Sequence, residues 1–170
     1  MRLLDAGIPV TVFDRERASL DRTLATARLR YQDAVANGDL AAEARDRRLA
    51  LLAATLHFHH LKDCDLLIDA LATEIGAKEK LLRRLDEVAK PGAVLMTCDA
   101  NCDIDHLARI TRRQGEVLGL RFLGSANEIG TWECVRGRGT SDEALATASA
   151  LVRNLRKVNA ADPARAAVLQ

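Results

Sequence analysis

An excess of charge of either sign is missing from this chain: 25 lysines and arginines face 24 acids in 170 residues, a net charge of +1. Without a global field, nothing draws the protein to nucleic acid or to an anionic membrane, and a charged ligand needs a local site. Also missing is any apolar run near the roughly 18 residues of a membrane span. Residues 1–7 are too short for a signal peptide's apolar region, so a cytoplasmic protein is expected. The four cysteines (Cys64, Cys98, Cys102, Cys134) lack the dense spacing of a secreted disulfide scaffold and predict buried free thiols. Cys98 and Cys102 lie near each other, and His57, His59 and His60 cluster elsewhere. No second pair completes a ligand set, so no metal is expected.

What is present is an ordinary soluble composition, 48% hydrophobic and 29% charged, long enough to bury one core. Gly7-Ile-Pro-Val-Thr-Val-Phe-Asp14 has the β-branched and aromatic content of a strand and ends in an acid. In a dinucleotide-binding unit such an acid holds the adenosine ribose, and a strand with a Gly-rich phosphate loop comes roughly 20 residues earlier. Only six residues precede Gly7.

From Ser19 to Ala54 apolar residues recur at three and four positions, interrupted by Asn37-Gly38, which predicts a helical hairpin. A short strand is expected at Leu56-His57-Phe58-His59, and a strand buried on both faces at Asp65 to Leu71. A helix over 79–89, a strand over 93–97, a helix over 103–111 and strands over 117–122 and 131–136 follow. A capping box at Thr140-Ser-Asp-Glu143 opens a helix over 143–155. The alternation predicts an α/β fold with a mainly parallel sheet and helices on both faces. Residues 1–158 form the expected domain and 159–170 a tail that frays.

Four segments carry a resemblance to a known family. Gly7-Ile-Pro-Val-Thr-Val-Phe-Asp14, Asp65-Leu-Leu-Ile-Asp-Ala70, Lys90-Pro-Gly-Ala-Val-Leu-Met-Thr97, and Val117-Leu-Gly-Leu-Arg-Phe122 with Trp132-Glu-Cys-Val-Arg-Gly137 follow the order and spacing of one pattern. The pattern resembles the NAD-binding domain of the 3-hydroxyacyl-CoA dehydrogenases, over roughly residues 3–158. The resemblance implies an incomplete Rossmann-like sheet with a helical hairpin after the first strand present. It also implies an oxidoreductase ancestry in fatty-acid β-oxidation. Asp14, Ala70 and Lys78 fall at positions that approach the cofactor. Arg22, Arg28, Arg45, Arg47 and Arg48 could meet the phosphates of CoA, though a solvated helix face with interspersed acids explains them equally well.

The resemblance also exposes departures. The family's general base is a histidine in Gly-Leu-His-Phe-Phe-Asn-Pro, whereas this chain has Gly119-Leu-Arg-Phe-Leu-Gly-Ser125, with Arg121 in the histidine's place. An arginine takes no proton near neutrality. The family's orienting glutamate corresponds to Glu133, expected here to pair with Arg121 as a relic of a catalytic dyad. Cys98 and Ala100 replace an asparagine and a serine, Gly124 replaces a second asparagine, and Thr73 stands for a glutamate. His106 is expected on the surface. The Gly-rich loop and the family's C-terminal helical domain have no counterpart, which weakens NAD binding.

In strand order 3-2-1-4-5-6 the strand without a counterpart is a central one. The gap predicts direct pairing of the Asp14 and Asp65 strands, or a homo-oligomer or partner chain that fills it. Three functions follow. One is a degenerate dehydrogenase-like domain retained for binding or assembly, with NAD or acyl-CoA as possible ligands. Another is a fragment or subunit of a functional dehydrogenase completed by another chain. The last is a pure protein-interaction module.

Overall fold

A computed structural model of the protein describes residues 1–71, 74–99, 102–123 and 131–160. These group into two compact units: residues 1–60 with the end of the last helix from Lys157, and residues 61–156.

The first unit begins with a short helix α1 (Arg2–Asp5), where no element was expected, followed by β1 (Val10–Phe13). The expected hairpin is α2 (Arg17–Ala36) and α3 (Ala42–Ala50). It turns at Asn37-Gly38, where Gly38 takes φ +81°, a left-handed conformation that glycine enters without a Cβ penalty. Three side chains knit its helices together. Tyr31, fully buried, donates its hydroxyl to Asp5 Oδ1 at 2.8 Å, and Arg48 pairs with the same oxygen at 2.9 Å.

Residues 52–55, expected to end the helical hairpin, instead form β2 (Leu52–Thr55), parallel to β1 in the register Val10↔Leu52 to Phe13↔Thr55. The segment Leu52-Ala-Ala-Thr55 has helical composition, and pairing to β1 overrides it. The strand expected at Leu56 to His59 is correspondingly displaced. Phe58–Leu61 form one 3-10 turn, with Phe58 against Phe13 at 4.2 Å between ring centroids.

The second unit contains β3 (Leu66–Asp69), α4 (Ile75–Val88), β4 (Val94–Thr97), α5 (Ile104–Arg109), β5 (Val117–Leu123), β6 (Thr131–Arg136) and α6 (Asp142–Ala160). The sheet order is β3-β4-β5-β6, parallel except for the last pair. Two-sided burial belongs to β4, whose Val94, Leu95 and Met96 are each at most 2% exposed. β3, expected to be buried on both faces, alternates instead: Leu67 and Asp69 are buried while Leu66 and Ile68 are half-buried. It is the outer strand of this sheet.

The Asp14 strand does not pair with the Asp65 strand: β1 has its ladder on β2, and β3 has its ladder on β4. At the start of α6 the cap is Ser141, whose Oγ accepts from Ala144 N at 3.2 Å. Thr140 is buried and instead donates to Val117 O at 3.2 Å. All four cysteines are free, and all are half-buried rather than buried. No helix of the described residues is long and apolar enough to cross a membrane.

Candidate functional site

In parallel α/β sheets, ligands bind beyond the carboxyl ends of the strands. At that end of β3 and β4 lies a cluster built around Lys78, which is fully buried on α4. Its Nζ donates to Asp69 Oδ2 at 2.6 Å, to Leu71 O at 2.8 Å and to Thr97 Oγ1 at 3.3 Å. Asp69 and Thr97 end β3 and β4, and Thr97 Oγ1 donates to Asp69 Oδ2 at 3.1 Å. An ammonium has three N–H donors, so this lysine is saturated by the protein. It ties two strand ends and the backbone after β3 into one polar knot. Ala70, beside the knot, is exposed.

Beyond β4, Asp99 Oδ2 lies 3.9 Å from Lys78 Nζ. Asp99 and Cys102 line a small open recess of about 20 Å3 together with Ile104, Gly119, Arg121 and Val135. Burial, and then a hydrogen bond to the Asp99 carboxylate, push the Cys102 thiol up to about 11. At neutral pH that favours the neutral S–H and makes Cys102 a poor nucleophile. A Cβ at Gly119 would stand 3.0 Å from Val135 Cβ and 3.2 Å from Ile104 Cδ1, so a larger residue there would crowd that wall and require both neighbours to shift by a few tenths of an ångström.

Arg121 and Glu133 face each other directly across the antiparallel β5–β6 ladder. Arg121 Nη1 is 3.9 Å from Glu133 Oε2, and the side chains are 41% and 50% exposed. The expected pairing is thus loose and solvated. Beside it Phe122 packs on Trp132 at 5.1 Å.

Asp14 is held within its own unit. Its Oδ1 accepts from Glu16 N at 2.9 Å, and that amide, with help from Ser19, keeps the carboxyl below its ordinary range. Among the arginines offered to CoA, Arg48 is bound to Asp5 and Arg45 to Asp46, while Arg22, Arg28 and Arg47 are exposed. His57, His59 and His60 are exposed, with His60 Nδ1 2.6 Å from Thr55 Oγ1, and no metal cluster occurs among the described residues. His106 is at the surface as expected but bonded, Nε2 to Glu79 Oε1 at 2.7 Å. Thr73, Ala100 and Gly124 lie outside the described residues.

A dinucleotide requires a ribose partner and a cradle for its pyrophosphate. An acid at the end of β1 fits the first requirement. For the second, the helices that follow parallel strands all start on acids: α2 has Asp14 and Glu16, α4 has Glu74, and α5 has Asp103, which caps it by accepting from His106 N. Such termini repel a phosphate rather than bind it. The described residues thus fit the ribose half of the cofactor and not its pyrophosphate.

The knot, its saturated lysine and the buried Asp69 went unforeseen as a unit. The available signal was periodic: Lys78 lies four residues before Leu82, on the stripe that continues through Leu85.

Parallel strands joined through helices, with polar groups gathered at their carboxyl ends, define a Rossmann-like nucleotide-binding domain. The sequence profile of the 3-hydroxyacyl-CoA dehydrogenase, NAD binding domain, matches residues 1–161, and the chain belongs to this family. It is 35% identical to a peroxisomal bifunctional enzyme of Danio rerio over 113 residues, 66% of this chain and 16% of that protein. It is 26% identical to a 3-hydroxybutyryl-CoA dehydrogenase of Clostridioides difficile, over 89% of this chain and 54% of that one. The crystal structure of 3-hydroxybutyryl-CoA dehydrogenase from Escherichia coli superposes with a TM-score of 0.85 at 26% identity, covering 91% of this chain and 33% of that one. The chain thus spans between a sixth and about half the length of these relatives.

Proposed function

We propose that this chain is a degenerate 3-hydroxyacyl-CoA dehydrogenase-like domain that has lost dehydrogenase activity and is retained, in the cytoplasm, for binding or assembly. The observation that carries this reading is Arg121, held on β5 opposite Glu133 where the family resemblance puts a proton-accepting histidine. Oxidising a 3-hydroxyacyl thioester requires a group that accepts the hydroxyl proton as hydride leaves, and a guanidinium does not titrate in that range. The acids at the N-termini of α4 and α5 support weak NAD binding by the strand ends near Lys78. The expected result is no NADH-linked turnover of acetoacetyl-CoA, with NADH binding far weaker than in an intact dehydrogenase when titrated calorimetrically. Turnover that disappears on Glu133→Gln would refute the reading.

The share of the relatives covered favours a second reading, in which this is one part of a functional dehydrogenase completed elsewhere. That reading predicts activity on mixing with the remaining part and requires Arg121 to be dispensable.

Assembly has its own support. Along β1, Val10 N donates to Leu51 O at 2.9 Å just before β2 and Asp14 N to Thr55 O at 3.3 Å, so by alternation Thr11 and Phe13 turn their amides and carbonyls to the other edge. Along β3, Asp65 O accepts from Val94 N and Asp69 O from Cys98 N, which likewise turns Leu66 and Ile68 away. Neither second edge pairs with a described strand. Such edges are templates for strand addition, and we infer a homo-oligomer or partner chain that uses them. Light scattering at micromolar concentration is expected to give a mass above 18.5 kDa. A stable monomer would argue against strand addition between copies.

A further inference from the structure

We propose that the outward face of α2 is an interface between two copies of this chain, packed as an antiparallel helix pair. Ala18, Arg22, Ala25, Leu29, Gln32 and Ala36 are all exposed on α2. Their spacing alternates between four and three residues, a period of about 3.5 that marks a seam covered by another helix. The buried residues of α2, Leu20, Tyr31 and Ala34, lie on its other side, so this second seam is not part of the core of its own unit. Leu29 stands near the middle of the seam and is 57% exposed, more than any other large apolar side chain among the described residues.

Charge selects the occupant and its direction. With about 100° between successive residues, Arg22 and Asp33 fall on the same flank of the seam, near its opposite ends, and both are exposed. In an antiparallel pair about a two-fold axis, like flanks meet with their order reversed. Arg22 then lies against Asp33 of the second copy, and the symmetry makes this pair twice. The same reversal sets Leu29 over Ala25, whose small side chain admits it, and brings Asp21 beside Gln32. A parallel pair would instead set Arg22 against Arg22 and Asp33 against Asp33, and would align the two helix dipoles. The ion pairs described in this unit join Arg45 to Asp46 and Arg48 to Asp5, which leaves Arg22 and Asp33 to a partner. This surface is distinct from the strand edges, because α2 associates through side chains and β1 and β3 through backbone groups.

The test is sedimentation velocity on the full chain over a concentration series. One helix pair falls at the small end of specific interfaces, so dissociation at about 10–100 μM is expected. Arg22→Asp and Asp33→Arg each place like charges together at two symmetric points and should weaken the dimer at least about tenfold. The double reversal, Arg22→Asp with Asp33→Arg, should restore the wild-type affinity, and Leu29→Glu should give a monomer. All these positions are exposed, so far-UV circular dichroism is expected to match the wild type. A wild type that stays monomeric throughout, equal association in the wild type and both single variants, or a double reversal no tighter than the singles would overturn the proposal. Strand addition is judged in the same series, because backbone pairing at β1 and β3 does not sense these charges: association left over in the singly reversed proteins measures it.

Discussion

Lys78→Ala is expected to destabilise the protein by about 3–5 kcal/mol, the usual cost of removing one partner from a buried ion pair. Both Lys78 and Asp69 have fully buried side chains, so the substitution strands a carboxylate that water cannot reach. Leu71 O and Thr97 Oγ1 lose their ammonium donor in the same step. For a chain of this length the midpoint of thermal unfolding should fall by roughly 10 °C, measured by circular dichroism. A second variant separates the charge effect from lost volume. Lys78→Met combined with Asp69→Leu removes both charges and keeps apolar bulk, and should recover most of the stability. If the double variant is as unstable as Lys78→Ala, packing rather than the stranded charge explains the loss.

The second large effect centres on Asp86, 5% exposed on α4. It accepts from Arg112 N and Nε, each at 3.0 Å, and from Arg113 Nε at 2.7 Å. Burial pushes this carboxyl up, but the hydrogen bonds from Arg113 and Arg112 outweigh it and hold the group below its ordinary value. A carboxyl with a lowered folded value contributes stability that is complete above the unfolded value of about 3.9. That contribution disappears as pH falls through the folded value, because the unfolded chain binds the proton first. Asp86→Ala should cost about 3 kcal/mol at neutral pH, since Arg113, 13% exposed, keeps its charge without a counterion. Asp86→Asn should flatten the acid limb of the stability curve below pH about 4, read from urea unfolding at several pH values. An unchanged acid slope would remove Asp86 as its source.

Much of the fold was legible because periodicity reports burial. The break at Asn37-Gly38, the strands from Val94 and Val117, and the helix of Leu82 and Leu85 all follow from spacing. β2 was hidden because Leu52-Ala-Ala-Thr55 carries no strand composition and becomes a strand only by pairing with β1. The site was half visible. The family resemblance paired Arg121 with Glu133, but the looseness of the pair depends on side-chain reach, which no sequence pattern contains. Lys78 and Asp86 occupy the buried stripe of α4 at positions where an apolar residue would ordinarily continue it. Their partners come from distant segments, so the sequence gives the positions without the contacts.

The cross-strand register of β5 and β6 has one more consequence. Backbone bonds alone hold residues 121 and 133 opposite each other, whatever side chains they carry. A pair of positions fixed in this way behaves as a socket: chemistry can be exchanged at it without disturbing the frame. A residue substituted at either position would therefore meet the same partner across the ladder, so side-chain chemistry at 121 and 133 varies independently of the backbone that presents it.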